Sequence, residues 1–252
     1  MTENRGEGSR TALVTGGTRG LGRALALTFA GRGYRVYATA RGQDGLAALA
    51  AEATERRLDI VPIRADHSRT DDNARVVGRI SDDARRVYLA IHNAGLLGPR
   101  VELAAYPPDE FERVMAANLF APFDLTRQLL PILAPAAAII FVSSGVSLGP
   151  RRYWGAYNVS KIALDGLAGI WAKELRDRGV RVFIVDPGPM RTTMRADAYP
   201  QEDPRTLEPP EARTPVFVWL AERADLSLSG GRFKAEGFTP PPPAEPADSG
   251  RE

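Results

Sequence analysis

Short apolar runs alternate with stretches of helical period along nearly the whole chain. TALVTGG (Thr11–Gly17), YRVYATA (Tyr34–Ala40), LDIVPIRAD (Leu58–Asp66), VYLAIHNAG (Val87–Gly95), AAAIIFVSS (Ala136–Ser144) and VRVFIVDPG (Val180–Gly188) have the character of buried strands, several of them closing on glycine. Between them lie segments that predict helices. The first runs from Gly20 towards Ala30, with Leu21, Leu25 and Phe29 on one side; the others cover 47–57, 71–84, 109–133, 155–178 and 210–222. Residues 189–210 follow neither period and are rich in Pro, Arg and Asp, so they read as a loop or lid. SLSGGRFKAEG (Ser227–Gly237) can supply a last strand. Alternation of this kind calls for a parallel sheet of about seven strands with helices on both faces, the α/β doubly wound arrangement.

Length and composition narrow the picture. A chain of 252 residues, 44% hydrophobic and 25% charged, suits one Rossmann-type domain over 11–238. Residues 1–10 read as a disordered lead, and the Pro-rich stretch 239–252 as an extended, disordered tail, where a proline-dependent docking site is a possible second use. Lysine and arginine number 33 against 31 acidic residues, which gives none of the one-sided charge of a nucleic-acid binder. With no cysteine, disulfides, thiolate catalysis and cysteine zinc sites are excluded. The histidines, His67 and His92, lack the spacing of a metal pair, so no metal is expected. No apolar run approaches the roughly 20 residues of a membrane span, and MTENRGEGSR has no secretory core. The expectation is a cytoplasmic protein with neither membrane nor nucleic-acid partner.

Candidate chemistry begins at TGGTRGLG, between the first strand and the first helix. Gly16, Gly20 and Gly22 permit a tight turn, close backbone approach to a pyrophosphate and a helix N-terminus aimed at anionic oxygens. Leu25 stands where a strict G-x-G-x-x-G would place its last glycine. With Thr18, Arg19 and Leu21, these glycines are the expected cofactor positions of the turn. A fold of this kind that prefers NAD ends its second strand with a carboxylate for the ribose 2′-hydroxyl. Here that strand ends Ala40-Arg41. Arg41, with Arg19 in the turn, suits a 2′-phosphate and so points to NADP; the alternative is that both are solvated charges. Asp66 is a candidate for the adenine amino group or a helix cap.

AYNVSK (Ala156–Lys161) places Tyr157 and Lys161 at i and i+4 of a predicted helix, on one face. A free phenol has a pKa near 10. A neighbouring ammonium is expected to lower it, so that the tyrosine can exchange a proton with an alcohol or a carbonyl. Ser144 closes the fifth strand and could hydrogen-bond both the substrate oxygen and Tyr157. A Tyr-x-x-x-Lys alone is common on helix surfaces; a strand-end serine and a dinucleotide turn upstream change its meaning.

In order and spacing, TGGTRGLG, HNAG (92–95), Asn118 in AANLFAPF, Ser143-Ser144, AYNVSK and DPGPMRT (186–192) resemble the short-chain dehydrogenase/reductase family over about residues 11–237. The resemblance implies strand order 3-2-1-4-5-6-7 and a catalytic set of Asn118, Ser144, Tyr157 and Lys161. In that scheme Tyr157 and Lys161 also contact the cofactor, and Asn118 holds a water that relays protons to Lys161. Asn93, Ala94 and Gly95 would flank the adenosine side, and Pro187, Gly188, Met190 and Thr192 the nicotinamide carboxamide. A homodimer or homotetramer is implied as well.

Departures from the pattern are visible. His92 replaces the first asparagine of Asn-Asn-Ala-Gly and is expected to be structural; Met190 stands where valine or isoleucine is usual. SGGRFKAEGF lacks the closing Asp-Gly-Gly, which puts the tetramer in question. The lid sequence is similar to those of a bacterial reductase subgroup. Facing the substrate, Tyr153 and Trp154 could favour a planar or anionic molecule or form a subunit contact. Arg191 and Arg195 could clamp an anion, close over the cofactor, or simply be exposed. The leading expectation is NADP(H)-dependent interconversion of a small-molecule carbonyl and alcohol. Two alternatives are a catalytically silent NADP-binding regulator, and an epimerase or dehydratase on the same fold.

Overall fold

The structure is a computed structural model and describes residues 10–83 and 85–241. Most of the N-terminal lead and the tail beyond residue 241 lie outside the described residues. Seven strands form one all-parallel sheet: β1 (Thr11–Thr15), β2 (Arg35–Ala40), β3 (Ile60–Arg64), β4 (Val87–His92), β5 (Leu133–Val142), β6 (Arg181–Asp186) and β7 (Arg232–Lys234). Their order is β3-β2-β1-β4-β5-β6-β7, as the resemblance implies.

The helices are α1 (Gly20–Gly31), α2 (Gln43–Glu55), α3 (Thr70–Asp82), α4 (Pro108–Met115), α5 (Ala121–Leu129), α6 (Gly155–Glu174), α7 (Thr193–Ala198) and α8 (Thr214–Glu222). Strand alternation feeds a core on each face. In β5, Ala138, Ile140 and Val142 join Leu25, Phe29 and Phe217 under α1 and α8. Ala137, Ile139 and Phe141 face the other way, into a core with Val76, Leu125, Leu164 and Trp171 from α3, α5 and α6. Both faces are thus dry, which is why the strand runs are continuously apolar.

Three boundaries differ from the sequence expectation. The helix predicted over 109–133 is interrupted by a π turn at Ala116–Phe120 that carries Asn118, and ends at Leu129. β5 starts at Leu133, and its Ala136 takes φ 55° where the pairing with β4 shifts register. The stretch read as an irregular lid contains α7, a helix of six residues whose first turn is capped by Thr192 Oγ1 accepting from Arg195 N. Six residues are too few to show a helical period, so the cap was its only local signal.

The strand order reverses between β1 and β4, and the carboxyl ends of those strands open a crevice, the position where this architecture receives ligands.

Candidate active site

A cleft of about 960 Å³ occupies that crevice. Its floor is the turn after β1. Gly16 adopts φ 67°, and α1 begins at Gly20 with no acidic side chain in its first turn, leaving that N-terminus electropositive. Gly22 does not line the cleft. A Cβ there would lie 2.1 Å from Gly16 O and 2.5 Å from Asn93 Nδ2, so this glycine lets α1 close against the turn. The turn is clamped from β4. Asn93 Nδ2 donates to Thr15 O at 2.9 Å, and the backbone amides of Asn93 and Ala94 both donate to Thr15 Oγ1 at 3.0 Å. Thr15 is a positioning residue that the glycine pattern did not reveal.

Of the predicted cofactor residues, Gly16, Thr18, Arg19, Gly20, Leu21, Arg41, Asp66, Asn93, Ala94, Gly95, Tyr157, Lys161, Pro187, Met190 and Thr192 all line the cleft. Gly188 does not; at φ 69° it turns the chain, and its amide donates to Asp186 Oδ1. Arg19 and Arg41 stand exposed at the rim, and no carboxylate ends β2. Asp66 caps no helix: its Oδ1 accepts from the amide and hydroxyl of Ser68, while Oδ2 lies 4.0 Å from Arg41. His67 also lines the cleft, unflagged by sequence. Its imidazole is held at 2.6 Å by both Thr39 Oγ1 and Asn73 Oδ1, and burial lowers its pKa. His92 is structural, as expected. It stacks on Phe141 and bonds Thr126 Oγ1 at 2.9 Å, and burial pushes its pKa down to about 3.

At the other end of the cleft, Asn118, Ser144, Tyr157 and Lys161 come together from three segments; Tyr157 and Lys161 line the cleft, and Asn118 and Ser144 do not. Tyr157 and Lys161 share the first turns of α6, both buried. Lys161 Nζ donates to Val142 O at 2.8 Å and lies 5.7 Å from the Tyr157 ring centre. Ser144 is not the end of β5, which closes at Val142; it caps the following 3-10 turn and sits within hydrogen-bonding reach of the Tyr157 hydroxyl. Asn158, inside AYNVSK, ties that turn to α6, donating to Val146 O and Gly149 O and accepting from Arg151 N. Asn118 uses its side chain structurally. It grips both backbone groups of Leu96, at 2.7 and 2.9 Å, and donates to Ser160 Oγ, whose hydroxyl donates to Tyr157 O.

One electrostatic expectation is overturned. Lys161 was expected to lower the tyrosine, yet the Tyr157 hydroxyl is pushed up to about 12 and Lys161 down to about 8. Burial is the chief cause for both. The Ser144 hydrogen bond pulls Tyr157 down and the Asp186 charge pushes it further up, while Asp165 partly restores Lys161. Desolvation penalises phenolate and ammonium alike, and sequence spacing carries no information about it.

Above Tyr157, Trp154 points inward, 5.8 Å from the Tyr157 ring and 6.0 Å from Tyr199 beyond α7, whereas Tyr153 points to solvent. Val146, Ala198, Leu97 and Met194 complete an apolar wall. Arg195 is not a free clamp: it forms a two-pronged pair with Glu202, both contacts 2.6 Å, and lies over Tyr199. Arg191 lines the cleft. Among the described residues no cluster of His, Asp and Glu could hold a metal ion, and no helix is long and apolar enough to cross a membrane.

A family profile described as short chain dehydrogenase matches residues 10–203. The chain is 34% identical over 237 residues to the uncharacterized oxidoreductase YciK of Escherichia coli, covering 90% of this chain and 92% of that protein. It is 32% identical over 231 residues to a rhamnolipids biosynthesis 3-oxoacyl-[acyl-carrier-protein] reductase of Pseudomonas aeruginosa, covering 87% and 88%. Among solved structures, an Escherichia coli short chain dehydrogenase complexed with NADPH superposes with TM-score 0.86 at 34% identity, over 90% of this chain and 96% of that one. A Shigella flexneri counterpart complexed with NADP gives 0.85 at 35%, over 90% and 97%.

Proposed function

The chain belongs to the short-chain dehydrogenase/reductase family of oxidoreductases, and from that premise we propose that it uses NADP(H) to interconvert a small-molecule carbonyl and its alcohol, with Tyr157 as the proton carrier. The observation that carries this reading is that Tyr157, hydrogen-bonded to Ser144, and Lys161 line the same cleft as Arg19 and Arg41. The chemistry of the cleft fits the cofactor: an uncapped helix N-terminus and close-packed glycines for a pyrophosphate, and two guanidinium groups with no β2 carboxylate for a 2′-phosphate. Lys161, Tyr157 and Thr192 would hold the nicotinamide half. When bound, the reduced cofactor supplies the hydride that reaches the carbonyl carbon.

The rest is done by the chain. With its pKa near 12, Tyr157 stays protonated and can give its proton to the carbonyl oxygen as the alcohol forms. Ser144 holds the Tyr157 hydroxyl in the free site and can turn its single O–H to the same carbonyl oxygen once substrate is bound. Lys161, near 8, is the neighbouring group able to return a proton to Tyr157. The π turn keeps Asn118 between Leu96 and Ser160, which fixes α6 against the loop after β4. The apolar wall around Trp154 and Met194 favours an apolar or aromatic substrate over a highly charged one.

We further read residues 11–238 as one catalytic unit acting in the cytoplasm. Exposed Phe120, Phe123, Val159, Ile162 and Ile170, on or beside α5 and α6, serve as its self-association face; a monomeric mass in solution at micromolar concentration would remove that face from the scheme. The functional test is a panel of aldehydes, ketones and quinones followed by loss of NADPH absorbance in parent and Tyr157→Phe protein. Turnover by the parent and a loss of about 10²-fold or more in the variant, with NADPH binding retained, is expected. Equal turnover by both would remove Tyr157 from the mechanism.

A further inference from the structure

The stretch SGGRFKAEGF, in which the closing Asp-Gly-Gly is missing, places an arginine where it reaches the back of the active site. Arg232 opens β7, and its guanidinium is largely covered. Nη1 donates to Asp165 Oδ2 at 2.5 Å, Ser147 Oγ at 3.0 Å and Ser143 Oγ at 3.4 Å. Nη2 donates to Ser144 O at 2.8 Å and Asp186 Oδ2 at 3.3 Å. One planar fork therefore joins three segments: the turn after β5, the turn of α6 next after Lys161, and the end of β6.

The partners reinforce one another. Ser147 Oγ donates to Asp165 Oδ2 at 2.5 Å and lies 2.9 Å from Ser144 O. Asp165 Oδ1 is buried with no hydrogen-bond partner, so the carboxylate leans on Oδ2 alone. An unpaired buried carboxylate is costly, and in this cluster Arg232 is the cation that compensates both Asp165 and Asp186. Tyr157 faces Lys161 from its own helix, Ser144 from the turn and Asp186 from β6; Lys161 faces Tyr157 and Asp165 from its own helix. Arg151 reaches the turn from outside, at Gly145 O.

We propose that Arg232 is a positioning residue of the active site, fixing the Ser144 turn against α6 and neutralising the two carboxylates that stand behind Tyr157 and Lys161. The proposal rests on the reading of Tyr157 and Lys161 as the proton-transfer pair. Losing the guanidinium would free the Ser144 turn and leave Asp165 uncompensated, and an uncompensated carboxylate favours the Lys161 ammonium. Lysine at 232 would keep the charge but lose the fork, because an ammonium is a point charge.

The chain has three lysines, Lys161, Lys173 and Lys234, so ¹³C-lysine NMR can follow each through a pH titration independently of turnover. In Arg232→Met the Lys161 midpoint should move up by about half a pH unit or more. For a carbonyl that the parent reduces, kcat should fall about tenfold with KM and NADPH affinity little changed. Arg232→Lys should restore the midpoint while kcat stays low. A Lys161 midpoint in Arg232→Met equal to the parent's overturns the proposal. So does a folded Arg232→Lys protein with the parent's kcat, because the fork would then be dispensable. A parent that reduces no carbonyl would instead sink the functional reading, and the NMR midpoint would still decide the role of Arg232.

Discussion

The guanidinium of Arg100 lies over the indole of Trp154, 4.6 Å from its centre, and 5.0 Å from the ring of Tyr199. Through Nη1 it also donates to Ala198 O, at the end of α7. One side chain from the loop after β4 thus fastens the lid over the ring that packs on Tyr157. Arg100 is exposed, where a cation–π contact contributes about 0.5 to 1 kcal/mol, enough to bias a lid equilibrium a few-fold. Arg100→Ala is expected to speed proteolytic cleavage within 189–210 and to raise KM several-fold, leaving the melting temperature of the sheet nearly unchanged. Cleavage at the parent rate would mean that the lid is held elsewhere.

The turn beneath the cofactor gives a stability prediction. Gly22→Ala places a methyl group 2.1 Å from the Gly16 carbonyl oxygen and 2.5 Å from Asn93 Nδ2. The Gly16 carbonyl is backbone, and the Asn93 amide, though a side chain, is tied to Thr15 O, so neither gives way freely. Overpacking of this kind costs about 3 kcal/mol, which in a chain of this size lowers Tm by about 10 °C. NADPH binding should weaken with it. Gly31→Ala, where an added Cβ meets nothing within 4 Å, is the control and should leave Tm unchanged or slightly raised.

Most of the fold and the reactive pair could be read from the chain because their signals are local. β1, β4, β5 and β6 are continuous apolar runs, the turn at 16–22 is spelled in glycine, and Tyr157 and Lys161 are one helical turn apart. What could not be read depends on contacts between distant segments. Arg232 and Ser144 are 88 positions apart and meet only through a three-residue strand, too short to show a period. Arg100 and Ala198 are 98 apart. Spacing reports the charge of Lys161 beside Tyr157, whereas the upward shift of Tyr157 comes from burial by the whole fold around it. The π turn at Asn118 leaves the apolar period of the flanking helices intact, so periodicity passes over it.

On the proposed function, cofactor choice turns on Arg41 and Arg19. Both are exposed at the rim of the cleft, and among the described residues the Arg41 guanidinium has the loose approach of Asp66, at 4.0 Å, as its ion pair. Each is therefore available to a 2′-phosphate, where charge-assisted bonds are worth about 1.5 to 3 kcal/mol. Arg41→Ala should weaken NADPH binding about tenfold or more and leave NADH binding within about twofold, read by titration of cofactor fluorescence. Tighter binding of NADH than NADPH by the parent would refute the assignment of both arginines.

Lys161 sets the pH dependence. Its folded value, about 8, lies below its ordinary 10.5 because the ammonium is buried, donating to Val142 O. Below about pH 8 both folded and unfolded chains carry this proton, and the folded state bears the full cost of a buried charge. Between about 8 and 10.5 the unfolded chain binds more protons at this site than the folded one, so stability rises with pH across that window. Tyr157 acts oppositely. Its value is raised from 10 to about 12, so it contributes stability that is lost as pH climbs from 10 to 12. The interval from 8 to 10 therefore isolates the lysine. Denaturant melts of the parent and of Lys161→Met at pH 7.5 and 9.5 should show the parent gaining stability relative to the variant on the alkaline side. Over the same interval kcat for carbonyl reduction should fall, because the ammonium that can reprotonate Tyr157 is titrating away. A stability difference that stays flat from 7.5 to 9.5 would mean that Lys161 keeps its proton throughout, leaving the fall in rate to be sought in another group.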